Sequence, residues 1–248
     1  MNSAVARDVA RGIIRRTMRW DPSFFRKDPL FWPIARAAQA LERFPEWPEP
    51  GDLTCAFEVE PPVRFERPAS KPRRSRAPAN ARYDARIAID RVVPTRPRSW
   101  HDLLSALVWA SFPRAKLALH ARQHRMIAAR LGADLRLPGA RTKEQDAVAM
   151  LDEGGVVLLR AGASSCAVIF GHAIYEGLAC GGPPNVRAAA YVVAIDSLPS
   201  DAHQRVDFAD ASLAALLSRE TPIQREEFET LVIDARLAPN ATPPPPRT

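Results

Sequence analysis

Along the chain, apolar positions change period several times, and each change predicts a different kind of element. Residues 20 to 47 carry seven of the 18 aromatic side chains, Trp20, Phe24, Phe25, Phe31, Trp32, Phe44 and Trp47, in no regular period. Aromatic rings each bury a large apolar area, so the N-terminal arm, residues 1–50, is expected to pack on a body rather than extend into solvent. The start of the arm, with Arg7, Arg11, Arg15, Arg16 and Arg19, reads as an amphipathic helix without the apolar run of a secretory signal. Ten of the 24 prolines fall between Pro45 and Pro97. Proline fixes φ and removes a backbone donor, so that region predicts short extended pieces, with strands at Val63 to Phe65 and at Arg86 to Asp90, where Ile87 and Ile89 alternate.

After Ser99 the period becomes helical. Ser99 with Asp102 is an acidic capping box, and Trp100, Leu103, Leu104, Leu107, Val108 and Phe112 keep one helix face. Pro113 should kink this helix or start another running to about Leu131. Pro138 and Gly139 make a turn, and Thr142 with Gln145 is a second capping box, opening a helix that ends at Gly154 and Gly155. Val156 to Arg160 reads as a strand, about Cys166 to Ala179 as an apolar helix, and the uncharged run Ala188 to Ile195 as a buried strand. The turn at Gly181 to Pro184 allows the reversal. Asp207 is read as the cap of a helix through Leu217, and Thr221 with Pro222 as the start of a short last one. The tail, residues 239–248, with Pro243 to Pro246 consecutive, is expected to be disordered or polyproline II. These elements predict a helix-rich α+β single domain over residues 1–238 with a small mixed β-sheet. The alternative is a small doubly wound α/β fold, and the strand, helix, strand succession over 156–195 decides between them.

Composition narrows this picture. At 46% hydrophobic the 248 residues can build a core, which excludes wholesale disorder, and 25% charged residues with 11 glycines exclude a collagen-like chain. The formal charge of +7 is a sum of unlike parts, since Arg64 to Arg86 alone has eight basic and two acidic residues. That stretch predicts an exposed arginine-rich loop over about residues 66–82, a candidate surface for an acidic partner such as nucleic acid. Only four of the 35 basic residues are lysines, so arginine reads first as a codon-level bias of a GC-rich genome and is weak evidence for that partner. Three cysteines, Cys55, Cys166 and Cys180, form neither a disulfide framework nor a thiolate zinc site, which fits a reducing cytoplasm. The longest uncharged stretch, Ala161 to Tyr175, falls short of the ~20 apolar residues of a bilayer span, so no membrane helix is expected.

Candidate chemistry lies where local physics leaves a residue without a structural task. His172 and Glu176, four apart on an apolar helix, can share a divalent metal or a proton; the alternative is a helix-stabilising hydrogen bond. His120 and His124 have the same spacing, but Leu117, Ala121, Ala128 and Leu131 run through their face, which favours structural histidines. His101 precedes Asp102 as in metal phosphohydrolases, yet no histidine lies upstream, and Asp102 is explained as the helix N3 acid. Asp152 and Glu153 oppose the macrodipole at a helix C-terminus, costing of order 0.3 to 1 kcal/mol each. Asp146, seven residues before Glu153, completes three carboxylates near a glycine turn, either a solvated turn or a cation or acid/base site. The loop Arg160 to Ser165 has amides that can cradle an anion, but it lacks the ending of a nucleotide loop and the flanking glycines of a nucleophile elbow.

The segments Val93-Pro94-Thr95-Arg96, Ser99-Trp100-His101-Asp102-Leu103, Ala106-Leu107-Val108-Trp109, Phe112-Pro113-Arg114-Ala115-Lys116, Gln145-Asp146-Ala147, Leu151-Asp152-Glu153-Gly154-Gly155 and Phe170-Gly171-His172-Ala173 with Glu176 resemble an uncharacterised bacterial family, domain of unknown function 3025. The resemblance covers about residues 20 to 180 and departs from the family pattern at Ser105. It implies no activity, but it places His101, Asp102, Asp146, Asp152, Glu153, His172 and Glu176 at the family's polar motifs. The first functional expectation is therefore an intracellular hydrolase-like enzyme, with metal assistance as an option, acting on a small-molecule substrate, with His101, Asp146, Asp152, Glu153, His172 and Glu176 converging and His172 and Glu176 as the metal ligands. The second is a non-enzymatic binding protein that uses the arginine loop.

Overall fold

A computed structural model describes residues 19–68, 83–131, 140–181 and 186–233. The expected N-terminal helix, the centre of the arginine loop, the Pro138–Gly139 turn, all but the first residue of the Gly181 to Pro184 turn and the proline-rich tail lie outside the described residues. The fold is helix-rich α+β with a mixed sheet. The main helices are α1 (Ala35–Gln39), α2 (Pro50–Thr54), α3 (Trp100–Ser111), α4 (Pro113–Ala128), α5 (Lys143–Gly154), α6 (His172–Ala179) and α7 (Ala202–Ser218). The strands are β1 (Arg64–Glu66), β2 (Val92–Pro94), β3 (Gly155–Ala161), β4 (Ser164–Ile169), β5 (Val186–Ala194) and β6 (Glu229–Ile233). β1 and β2 form a parallel pair, and the larger sheet has the order β4-β3-β5-β6, with β3 and β5 parallel and both outer pairs antiparallel.

The doubly wound alternative fails at residues 164–169. This stretch is not the start of a helix but the second strand of a hairpin with β3, Ala161 pairing with Ser164 across Gly162 and Ala163. Gly162 has φ +56°, the left-handed value that two-residue hairpin turns select at a glycine. The helix expected from Cys166 begins only at His172, and the loop expected to cradle an anion is this hairpin turn, with no helix start beside it. Residues Gly155 to Leu159 of β3 are all buried, as in a strand covered on both faces. Three other expectations are corrected. Arg86–Asp90 is a π-helical turn rather than a strand, closed by Arg91 at φ 57°, and it buries Ile87 while leaving Ile89 59% exposed. α7 starts at Asp201, whose side chain accepts from the His203 amide at 2.6 Å, leaving Asp207 inside the helix. Beyond Thr221 the chain makes a short 3-10 turn at Arg225–Glu227 and then the edge strand β6.

The capping boxes place the remaining helices. Thr142 and Gln145 satisfy each other's backbone amides at the start of α5. Pro113 starts α4 directly after α3, and Asp210 of α7 reaches across to accept from the Ala115 amide at 2.7 Å, capping that start from another helix. The aromatic arm packs on the body. Trp20, Trp47 and Phe24 lie 4.9 to 5.9 Å, centroid to centroid, from Trp100 at the head of α3, and Phe31 stacks on Tyr175 of α6 at 5.6 Å. The arm thus clamps the two helices that carry His101 and Glu176, each next in sequence to a clamped ring.

Candidate functional site

His101 is held at the first turn of α3. Ser99 Oγ accepts from the Asp102 amide at 3.3 Å. The Asp102 carboxylate turns away to Arg96, taking its amide at 2.6 Å and two guanidinium bonds at 2.7 and 2.9 Å, so only half of the expected capping box forms. His172 is held by an unusually close approach of two backbones. Phe170 and Gly171 both donate to the Gly155 carbonyl, at 3.0 and 2.8 Å. A Cβ on Gly171 would stand 2.5 Å from the Glu153 carbonyl and from the Gly155 nitrogen. Glycine at 171 therefore lets the start of α6 abut the end of α5, and this brings His172 beside Asp152 and Glu153.

The two imidazoles face each other. His101 Nε2 and His172 Nε2 are 3.1 Å apart, with ring centroids at 4.5 Å and planes at 75°. The opposite nitrogens are both occupied: His172 Nδ1 lies 2.8 Å from the Asp152 carbonyl, and His101 Nδ1 lies 3.1 Å from Glu176 Oε2. An acceptor at Nδ1 draws the proton there and leaves the Nε2 lone pair outward, so in the neutral rings two lone pairs converge. The Glu153 carboxylate is 3.5 Å from His172 Nε2, and ligand atoms of His101, Glu153 and His172 all lie within 4.8 Å of one another. Two nitrogens bound to one Zn²⁺ at ~2.0–2.1 Å stand ~2.8–3.4 Å apart between right-angled and tetrahedral geometry, so the spacing fits a metal. A buried carboxylate or carbonyl on the second nitrogen is also the usual support of a metal-ligating histidine.

The electrostatics are uneven across the pair. The hydrogen bond to Glu176 raises the His101 pKa above its ordinary value, against partial burial. Burial lowers that of His172, with Lys116 and His101 adding to the effect and Asp152 and Glu153 opposing it. In the metal-free protein, protonation of His101 Nε2 would let it donate to His172 Nε2 across the gap. Burial pushes the Asp152 carboxyl up, but Lys116, His172 and His120 outweigh it and leave it below the usual carboxylate range. Lys116 Nζ lies 2.6 Å from Asp152 Oδ1 with the lysine side chain 1% exposed, and it also sits 5.5 Å over the Trp109 ring.

Of the residues singled out in the sequence, His101, Asp152, Glu153, His172 and Glu176 meet here, in a different pairing from the expected one. Glu176 sits on the back of His101, and Glu153 is the carboxylate beside the His172 lone pair. Asp146 stays apart, exposed in the first turn of α5, ~10 Å along the axis from Glu153. His120 is buried on Trp109, with Nδ1 on Asp84 Oδ1 at 3.0 Å, and does not join the cluster. The described ends of the arginine loop are charge-paired, Arg64 and Arg86 with Glu66 and Arg67 with Glu49. Sequence reasoning missed Lys116 and Gly171. The available signal was Lys116 itself, a rare lysine between the core positions Ala115 and Leu119.

Residues 72–167 match the family described as Protein of unknown function (DUF3025). The match takes in His101, Asp152 and Glu153 and stops short of His172 and Glu176, a narrower span than residues 20 to 180. Neither a curated protein nor a solved structure matches the chain. No helix among the described residues is long and apolar enough to cross a membrane.

Proposed function

We propose that the protein is a metal-assisted hydrolase acting on a small molecule, with its centre at His101, His172 and Glu153. The observation that carries this reading is the 3.1 Å approach of two Nε2 atoms whose opposite nitrogens are both tied to oxygen acceptors. Two imidazoles and one carboxylate suit a divalent cation of intermediate softness and leave positions open for water. Such an ion, once bound, would polarise a substrate oxygen and lower the pKa of bound water to ~7. The chain's own contribution is orientation. Glu176 and the Asp152 carbonyl fix the two tautomers, Lys116 anchors Asp152, and Glu153, with its side chain 54% exposed, leaves one side open to solvent.

Cobalt tests both parts of this reading. The Co²⁺-loaded protein should show visible bands that shift with pH near neutrality as bound water ionises and that are lost in His172→Ala. No spectrum in the wild type, or one indifferent to pH, contradicts it.

A further inference from the structure

Resting on that centre, we propose that the cavity beside Glu153 is the substrate pocket and that it receives a small molecule through an oxyanion, phosphate or carboxylate, held by Arg187 and Arg225. The cavity is about 430 Å³ and is lined by Met150, Glu153, Ala173, Arg187, Arg225 and Thr230 among others. That volume lies within the ~300–1,000 Å³ of small-ligand sites. Glu153 belongs both to this wall and to the cluster with His101 and His172, so the cavity adjoins the proposed centre through Glu153, although neither histidine lines it.

The strand register brings the arginines there. Ala189 pairs with Thr230 across β5 and β6, and Arg187 precedes Ala189 by two, which places its side chain on the same face. Arg225 is oriented in advance, donating Nη1 to the Phe228 carbonyl at 2.8 Å and Nη2 to Thr230 Oγ1 at 3.4 Å. Among the described residues neither arginine has a carboxylate partner, so two guanidiniums face the cavity against the single charge of Glu153. Ala173 and Ile174, from the first turn of α6, belong to the same wall, and a first helical turn carries positive partial charge. A guanidinium fork matches planar or tetrahedral oxyanions in paired hydrogen bonds. Another large cavity among the described residues, about 450 Å³ beside the aromatic arm, differs in each respect. Its Arg26 and Arg36 are paired with Glu42 and Glu58, and it contains no residue of the histidine centre.

The test is calorimetric titration of inorganic phosphate and of acetate into the Zn²⁺-loaded full chain, its Arg187→Gln and Arg225→Lys variants, and the metal-free protein. Phosphate or acetate should bind the loaded wild type, the tighter of the two naming the oxyanion. Arg187→Gln should weaken that binding at least ~10-fold, with Zn²⁺ affinity unchanged. Arg187 is exposed and makes no side-chain bond among the described residues, so this variant keeps the fold; Arg225→Lys keeps the charge, loses the fork and should fall between. Anion binding equal in wild type and Arg187→Gln places the anion on the metal alone and overturns the pocket. Binding of neither anion to the loaded protein overturns it too, and Zn²⁺ binding then still supports the centre. If Zn²⁺ fails to bind while Arg187-dependent phosphate binding persists, the pocket is supported and the metal centre is what falls.

Discussion

Two histidine environments adjoin the Lys116–Asp152 ion pair, and they share most of their parts. His120 places Nδ1 on the Asp84 carboxylate, as His101 does on Glu176, and it stacks on Trp109 with centroids 5.4 Å apart and planes at 8°. Its Nε2 ends in the core without a hydrogen-bond partner among the described residues. Burial lowers its pKa, leaving a neutral ring that packs. The Nε2 atoms of His101 and His172 instead point at each other beside a half-exposed carboxylate. A carboxylate on one nitrogen orients a ring in both places. Chemistry depends on where the other nitrogen is left, in apolar packing or opposite a second lone pair with an opening to solvent.

The largest expected effect strikes the ion pair that adjoins both environments. Lys116→Met leaves the largely buried Asp152 carboxylate without its cation and should cost about 3–5 kcal/mol in chemical denaturation. A loss below about 1 kcal/mol would mean that Lys116 does not anchor α5 to α4. Next in size, Glu176→Gln should weaken Zn²⁺ binding ~10–100-fold, the usual cost of losing a carboxylate behind a ligating histidine. Asp84→Asn, the same change behind His120, should leave Zn²⁺ affinity within about twofold, because His120 is no ligand; equal losses in both variants would erase the contrast. Smallest is the pH response of the metal-free protein, followed by NMR of the ring nitrogens. His101 should titrate above the ordinary ~6.5, and His172 and His120 below it. The His101 contribution to stability is then complete below ~6.5 and is lost as pH rises through its raised value, whereas those of His172 and His120 are lost as pH falls through ~6.5 toward their lowered values. Titration in the reverse order would place the shared proton on His172.

The sequence was most legible where structure is decided within one turn of chain. Ser99, the Thr142–Gln145 box, Pro113 and the Gly154–Gly155 stop each act through a backbone group a few residues away, and each falls where the pattern places it. It was least legible where a partner strand decides. Ser164 to Ile169 is apolar enough for a helix and becomes β4 because Gly162 turns it back onto β3, and β6 gains its identity from β5. The candidate site divides in the same way. His101, Asp152, Glu153, His172 and Glu176 could be picked out because no local task explains them. Which carboxylate serves which ring depends on the approach of α6 to α5 through Gly171, and on Lys116 from a third helix, contacts that no spacing within one segment encodes.

The central claim is that the two Nε2 atoms bracket a cation, and anomalous diffraction at the zinc edge from crystals soaked in Zn²⁺ tests it most directly. The account predicts one strong peak ~2.0–2.1 Å from Nε2 of both His101 and His172, with a Glu153 oxygen completing the set and Glu176 still on His101 Nδ1. A map without that peak, or with zinc bound only elsewhere while the imidazoles stay 3.1 Å apart around a proton, would contradict it.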